Sequence, residues 1–197
     1  LRYLRSGAVI IAAVEHGYVY LTNAFDRDAV NAIQILRANP AATTLQVLVS
    51  DKKMASGIST ALTVQQDALL EKFWPGLFSV TVKAQPGLTW NLGDDRRLGK
   101  VNLRSPNKKF LQAILEHSGP LATSSAALAG KSAVIDSHTL EVYENDIGAI
   151  FDESVLQVGP LSTLIEFSEN EITLMREGAI SREDLKALVP TISAPNL

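Results

Sequence analysis

Cysteine is absent from the 197 residues, which excludes disulfides, thiolate metal ligands and cysteine nucleophiles. Histidine is scarce: His16, His117 and His138 lie far apart, and none has the spacing of a metal-ligand pair, so no metal site is expected. Aromatic residues make up 6% of the chain, with two tryptophans. There is no surplus of positive charge. Eighteen Lys and Arg stand against 21 Asp and Glu, a net −3, so no global field draws the chain onto nucleic acid or an anionic membrane. Any RNA contact must use a local basic patch. No apolar run approaches the ~20 residues needed to span a bilayer, and nothing resembles a signal peptide. Gly-rich dinucleotide and P-loop motifs are missing as well, which argues against a dinucleotide-dependent dehydrogenase or a P-loop ATPase. The chain begins at Leu1 without Met, so a trimmed N-terminus is expected.

What is present is an ordinary folding composition, 46% hydrophobic and 20% charged, long enough for one large domain. Gly7–Val14 is a continuous apolar run that reads as a doubly buried strand. Asp26 opens a helix through Ala29, Val30, Ile33 and Leu36, and Asn39-Pro40 ends it. Leu45–Val49 reads as a short strand. Thr63 and Gln66 form a capping box for a helix reaching Phe73. Phe73-Trp74-Pro75-Gly76 breaks that helix, and the strand Phe78–Val82 follows. A polar loop, 85–97, leads to the strand 101–104, then to a helix over 108–117 stopped by Gly119-Pro120. Thr123–Gly130 is a run of small residues. A helix is expected over Thr139–Tyr143, strands over Ile147–Phe151, Ser162–Phe167 and Ile172–Arg176, and a last helix from Ser181 to Pro190. Interleaved strands and helices without repeats or linkers predict one α/β domain over 1–190, with a frayed tail at 191–197.

The chain resembles the YrdC-like threonylcarbamoyl-AMP synthases along nearly its whole length. Ala13-Val14-Glu15-His16-Gly17-Tyr18-Val19 matches the family block Pro-Thr-Glu-Thr-Val-Tyr-Gly at Glu15 and Tyr18. Arg37-Ala38-Asn39-Pro40, followed by Thr43-Thr44-Leu45, resembles Lys-Gly-Arg-Pro and then Asn/Lys-Pro-Leu, with the motif arginine replaced by Asn39. The Phe-Trp-Pro-Gly turn is intact. Leu103-Arg104-Ser105-Pro106 matches Val-Arg-x-Pro. Gly119–Ala127 resembles Gly-Pro-Leu-Ala-x-Pro-Ser-Ala-Asn: the Ser stays as Ser125, Ser124 stands at the second Pro, and the Asn becomes Ala127. Leu161–Glu166 resembles Glu-Ser-Thr-Val-Val-Asp, and Arg176-Glu177-Gly178 matches Arg-x-Gly.

The resemblance implies a twisted mixed parallel/antiparallel sheet with flanking helices and a concave ligand groove. It implies a cytoplasmic enzyme that condenses ATP, brought with Mg²⁺, with L-threonine and bicarbonate, releasing pyrophosphate and serving tRNA modification. It assigns Arg104, Ser125 and Ser162 to a threonine-like carboxylate. It assigns Arg176, Arg37 and Thr43 to the nucleotide, and Lys100 offers a charge in place of the one lost at Asn39. Arginine forks suit such oxygens because they form bidentate charge-assisted hydrogen bonds. Each residue also has a plainer reading. Arg104 could pair with an acid, Arg176 and Gly178 could close a hairpin, and Ser125 could serve tight packing. Arg37 suits a helix C-terminus without any ligand. Trp74 reads as a packing anchor and His16 as incidental. Arg2, Arg5, Arg96, Arg97 and Lys100 read as solvated charges, with an RNA-facing role as the alternative. Because Val14, His16, Asn39 and Ala127 depart from the pattern, a second reading stands beside the enzyme: a family member that binds nucleotide or double-stranded RNA without turnover.

Overall fold

Buried β-branched runs and well-capped amphipathic helices alternate along the chain. The computed structural model of the protein describes residues 1–94, 99–169 and 171–194. A short helix α1 (Arg2–Arg5) precedes β1 (Ile10–Val14), which is buried throughout. A tight reversal at Glu15-His16 returns the chain as β2 (Gly17–Asn23). Asp26 caps α2 (Arg27–Leu36) by accepting from Asp28 N and Ala29 N. Then come β3 (Gln46–Leu48), α3 (Lys52–Ser56) and α4 (Val64–Phe73), whose Thr63–Gln66 capping box forms as expected. After the Trp-Pro-Gly turn come β4 (Phe78–Lys83), β5 (Lys100–Arg104), α5 (Lys109–Ser118) and β6 (Leu121–Ser125). The chain closes with β7 (Ala149–Phe151), β8 (Thr163–Phe167), β9 (Ile172–Arg176) and α6 (Arg182–Leu188).

Among the described residues the strands form one mixed sheet in the order β7-β1-β2-β6-β3-β5-β4-β8-β9. Strand alternation gives it two unlike faces. Val47, Val80, Leu103, Ile165 and Leu174 point to one face and build the larger core with Val30 and Ile33 of α2, Leu69 and Leu70 of α4, and Leu185 of α6. The other face is only partly covered. Ile10, Ala12, Leu21, Leu48 and Leu121 pack there under Leu4 of α1 and Leu111 and Leu115 of α5. Beyond that cluster, alternation places Ser79, Asn102, Arg104 and Leu164 on the same face, opposite the core-directed Val80, Leu103 and Ile165. This uncovered stretch of sheet is where a groove can form.

Two expectations are corrected. Thr139–Tyr143 is not helical; single 3₁₀ turns occur at Ser137–Thr139 and Glu144–Asp146. Leu140 and Val142, two residues apart, both pack against the core, and that spacing suits extended backbone. The tail is pinned rather than frayed over its described part: Ile192 is buried, and Ser193 exchanges backbone hydrogen bonds with Ile172 and Leu174 of β9. Residues 195–197 lie outside the described residues.

Candidate functional site

A cavity of about 310 Å³ lies on the uncovered face. Its lining comes from the β1–β2 turn, the ends of β3, β5 and β6, the segment entering β8, and the end of β9. Arg104, Ser125, Ser162 and Arg176, drawn from four separate stretches of chain, all line it.

Arg104 ends β5 and is nearly buried. The Phe-Trp-Pro-Gly turn holds it. Trp74 closes α4, and its indole N–H donates to Phe78 O at 2.7 Å. Gly76 N–H donates to Ser105 O at 2.8 Å, and Gly76 O accepts from Arg104 Nε at 3.0 Å. A Cβ at Gly76 would sit 2.8 Å from Phe73 O, so a side chain there would push this carbonyl away. Arg104 Nη2 forms an ion pair with Glu15, whose other oxygen accepts from Asn107 N–H at 2.7 Å. The turn that marked the sequence therefore acts at a distance, by orienting a guanidinium.

Arg176 reaches the cavity through an irregularity in β9. Regular alternation after Ile172 and Leu174 would aim residue 176 into the core. The register instead shifts, pairing Leu164 with Arg176 and Ile165 with Leu174. One extra residue, Met175, moves Arg176 to the face of Leu164, which also lines the cavity. There Arg176 donates from Nε and Nη2 to Ser162 O (3.2 and 2.9 Å) and from Nη2 to Ser162 Oγ (3.2 Å). Gly178 permits this arrangement, because a Cβ at that position would meet Leu161 O at 2.3 Å and Ser162 C at 2.7 Å.

The floor carries residues that sequence reasoning missed. Gln46 Nε2 donates to Ser79 Oγ at 3.0 Å and to Asn102 Oδ1 at 2.7 Å, and Ser79 Oγ–H donates to the buried Ser162 Oγ at 3.0 Å. Their signal was polar residues alternating with apolar ones along β4 and β5, and Gln46 between Leu45 and Val47. His16, in the β1–β2 turn, lines the cavity and its Nδ1 lies 2.9 Å from Gln157 O, so it ties the segment before β8 to the rim.

Over residues 2–178 the sequence matches the Sua5/YciO/YrdC family, described as "Telomere recombination". The chain belongs to that family. A Mycobacterium leprae relative, provisionally named a threonylcarbamoyl-AMP synthase, is 28% identical over 90% of this chain and 80% of its own. The threonylcarbamoyl-AMP synthase of Bacillus subtilis is 26% identical over 96% of this chain but 55% of its own. The crystal structure of Pyrococcus abyssi Sua5 complexed with L-threonine shares the fold, with a TM-score of 0.88 and 23% identity over 98% of this chain and 57% of that one. The chain thus spans little more than half the length of the last two proteins. No helix among the described residues is long and apolar enough to cross a membrane.

Three residues expected at the nucleotide do not line this cavity. Arg37 supports the end of β6 instead. Its Nη1 donates to Ser125 O and Ala127 O (2.5 and 2.7 Å) and its Nε to Asn39 Oδ1 (3.2 Å). Burial lowers its pKa below the ordinary arginine value and raises that of nearby Tyr20. Thr43 Oγ–H donates to Pro40 O and lines a separate cavity of about 330 Å³ with Arg27 and Asn39, while its neighbour Thr44 lines the main one. Lys100 sits at the far end of β5 from Arg104, paired with Glu166. It lines neither this cavity nor the one beside Asn39. Arg96 and Arg97 lie outside the described residues.

Proposed function

We propose that the chain is an L-threonylcarbamoyladenylate synthase serving tRNA modification. The observation that carries this reading is the meeting of Arg104 and Arg176 with Ser125 and Ser162 on one cavity. The names of the Bacillus subtilis relative and of the Pyrococcus abyssi structure supply the substrate class. In the reaction, the threonine amine and bicarbonate join as an N-carbamate with loss of water. A carbamate oxygen then attacks the α-phosphorus of ATP, the bond from that phosphorus to the αβ-bridging oxygen breaks, and pyrophosphate leaves. No protein nucleophile is needed, and positioning with charge stabilisation suffices.

In this scheme Arg104 takes the threonine carboxylate, helped by the hydroxyls of Ser125 and Ser162. Arg176 meets the nucleotide. Glu15 neutralises one of the two guanidinium charges, leaving the arginine pair too little charge for a triphosphate. Mg²⁺ arriving with ATP supplies the remainder. Pyrophosphate release in the presence of ATP, L-threonine and bicarbonate tests the reading. It is expected to need all three, and ATP binding without turnover would overturn it. One observation favours that second outcome: Asn39 stands where the family pattern has arginine, and Arg37 is spent on the carbonyls of Ser125 and Ala127.

A further inference from the structure

The polar residues on the cavity floor form a chain whose direction is fixed at both ends. At one end, the Gln46 amide nitrogen can only donate, and it gives one hydrogen to Asn102 Oδ1 and the other to Ser79 Oγ. Ser79 is buried, and among the described residues the acceptor for its own proton is Ser162 Oγ. At the other end, the Arg176 guanidinium can only donate, and it too gives a hydrogen to Ser162 Oγ. A hydroxyl has two lone pairs and one proton. Both acceptor sites of Ser162 are thus filled from within the protein, and among the described residues its proton has no acceptor. Ser162 lines the cavity, and that proton is what it offers.

We infer that Gln46, acting through Ser79, commits the Ser162 hydroxyl to donate into the cavity, so that this position takes a carboxylate or phosphate oxygen and rejects a donor group. The inference deepens the proposed function and rests on it for the ligand's identity. Gln46 and Ser79 are positioning residues here. Ser79, on β4, is buried beneath the hydroxyl, whereas Gln46, on β3, also lines the cavity.

The test is isothermal titration of the chain with L-threonine and, separately, with sodium pyrophosphate. It compares wild type, Gln46→Leu, Ser162→Ala and the double variant, each checked for folding by thermal melting. Ser162→Ala is expected to weaken one of the two ligands about 10-fold and Gln46→Leu to weaken the same ligand about 3- to 10-fold. The double variant is expected to be no weaker than Ser162→Ala alone, because the two side chains act as one unit. Gln46→Glu, of nearly the same shape, presents an acceptor to Ser79 and turns the relay around. It should lose more affinity than Gln46→Leu, and L-threoninol, which lacks the carboxylate, should not share that loss. Additive losses, a Gln46→Leu variant that binds like wild type, or a wild type that binds neither ligand would overturn the inference. Turnover with no coupling between the two positions leaves the synthase reading standing without the relay. Coupled oxyanion binding without pyrophosphate release does the reverse.

Discussion

Arg104 and Glu15 are both nearly buried, with side chains 9% and 12% exposed, and each relies on the other. Removing one partner of such a pair leaves an uncompensated buried charge. Glu15→Gln keeps the shape and the acceptor for Asn107 N–H but loses the charge. Its stability in urea denaturation is expected to fall by about 3 kcal/mol. Its affinity for an anionic ligand should rise, because the arginines then face the cavity without an opposing carboxylate. A variant as stable as wild type would mean that the pair contributes nothing. At this scale the sequence exposed those ligand candidates that carried a motif: Arg104, Ser125, Ser162 and Arg176. It concealed Gln46, Ser79 and Asn102, since polar residues alternating with apolar ones in a strand read as solvent-facing positions. It misdirected on Arg37, because the partners of that guanidinium are backbone carbonyls of a distant strand, which no side-chain pattern records.

The elements set where these side chains point. The shift in β9 that turns Arg176 toward the cavity depends on the tight passage of Gly178 past Leu161 and Ser162. Gly178→Ala should displace the Ser162 carbonyl from Arg176. It is expected to destabilise the fold by about 1–3 kcal/mol and to weaken ligand binding roughly 10-fold, the effect of one charged hydrogen bond. Unchanged affinity would separate the glycine from the site. Thr63→Ala is the matching control, because α4 packs on the opposite face of the sheet. Loss of its cap should lower stability by about 1 kcal/mol and the melting temperature by roughly 2–4 °C, leaving ligand affinity unchanged. Caps and apolar periods made α2, α4, α5 and α6 legible. β2 was not read because the Glu15-His16 turn carries no Gly or Asn, and β6 because its Thr-Ser-Ser end resembles a loop. The extra residue in β9 was invisible for a different reason: Leu174-Met175-Arg176 satisfies either register until its partner strand is known.

At the scale of the whole molecule, one covered face and one half-covered face account for both stability and the groove. Surface charge adds a pH term. The hydrogen bond from His138 N–H holds Asp136 below its ordinary 3.8, and Lys83 holds Glu169 below its ordinary 4.5. Depressed carboxylate pKa values stabilise the fold fully above those ordinary values, and the contribution is lost as pH falls through the lower folded ones. Thermal melts from neutral pH to about pH 3 should therefore show a fall in the acid limb that Asp136→Asn with Glu169→Gln makes shallower. Glu169 is exposed and Asp136 only half-buried, so the effect is small, and an identical acid limb in the double variant would remove them from the account. The central claim is larger: two arginines from distant strands grip one negatively charged small molecule, or a pair of them side by side. Calorimetric titration with ATP, with and without L-threonine, of wild type, Arg104→Met and Arg176→Met tests it most directly. Arg176→Met is expected to weaken ATP, and Arg104→Met the L-threonine bound beside it, by about 10- to 100-fold, the value of a charged hydrogen bond, whereas wild-type affinity in both variants would contradict it.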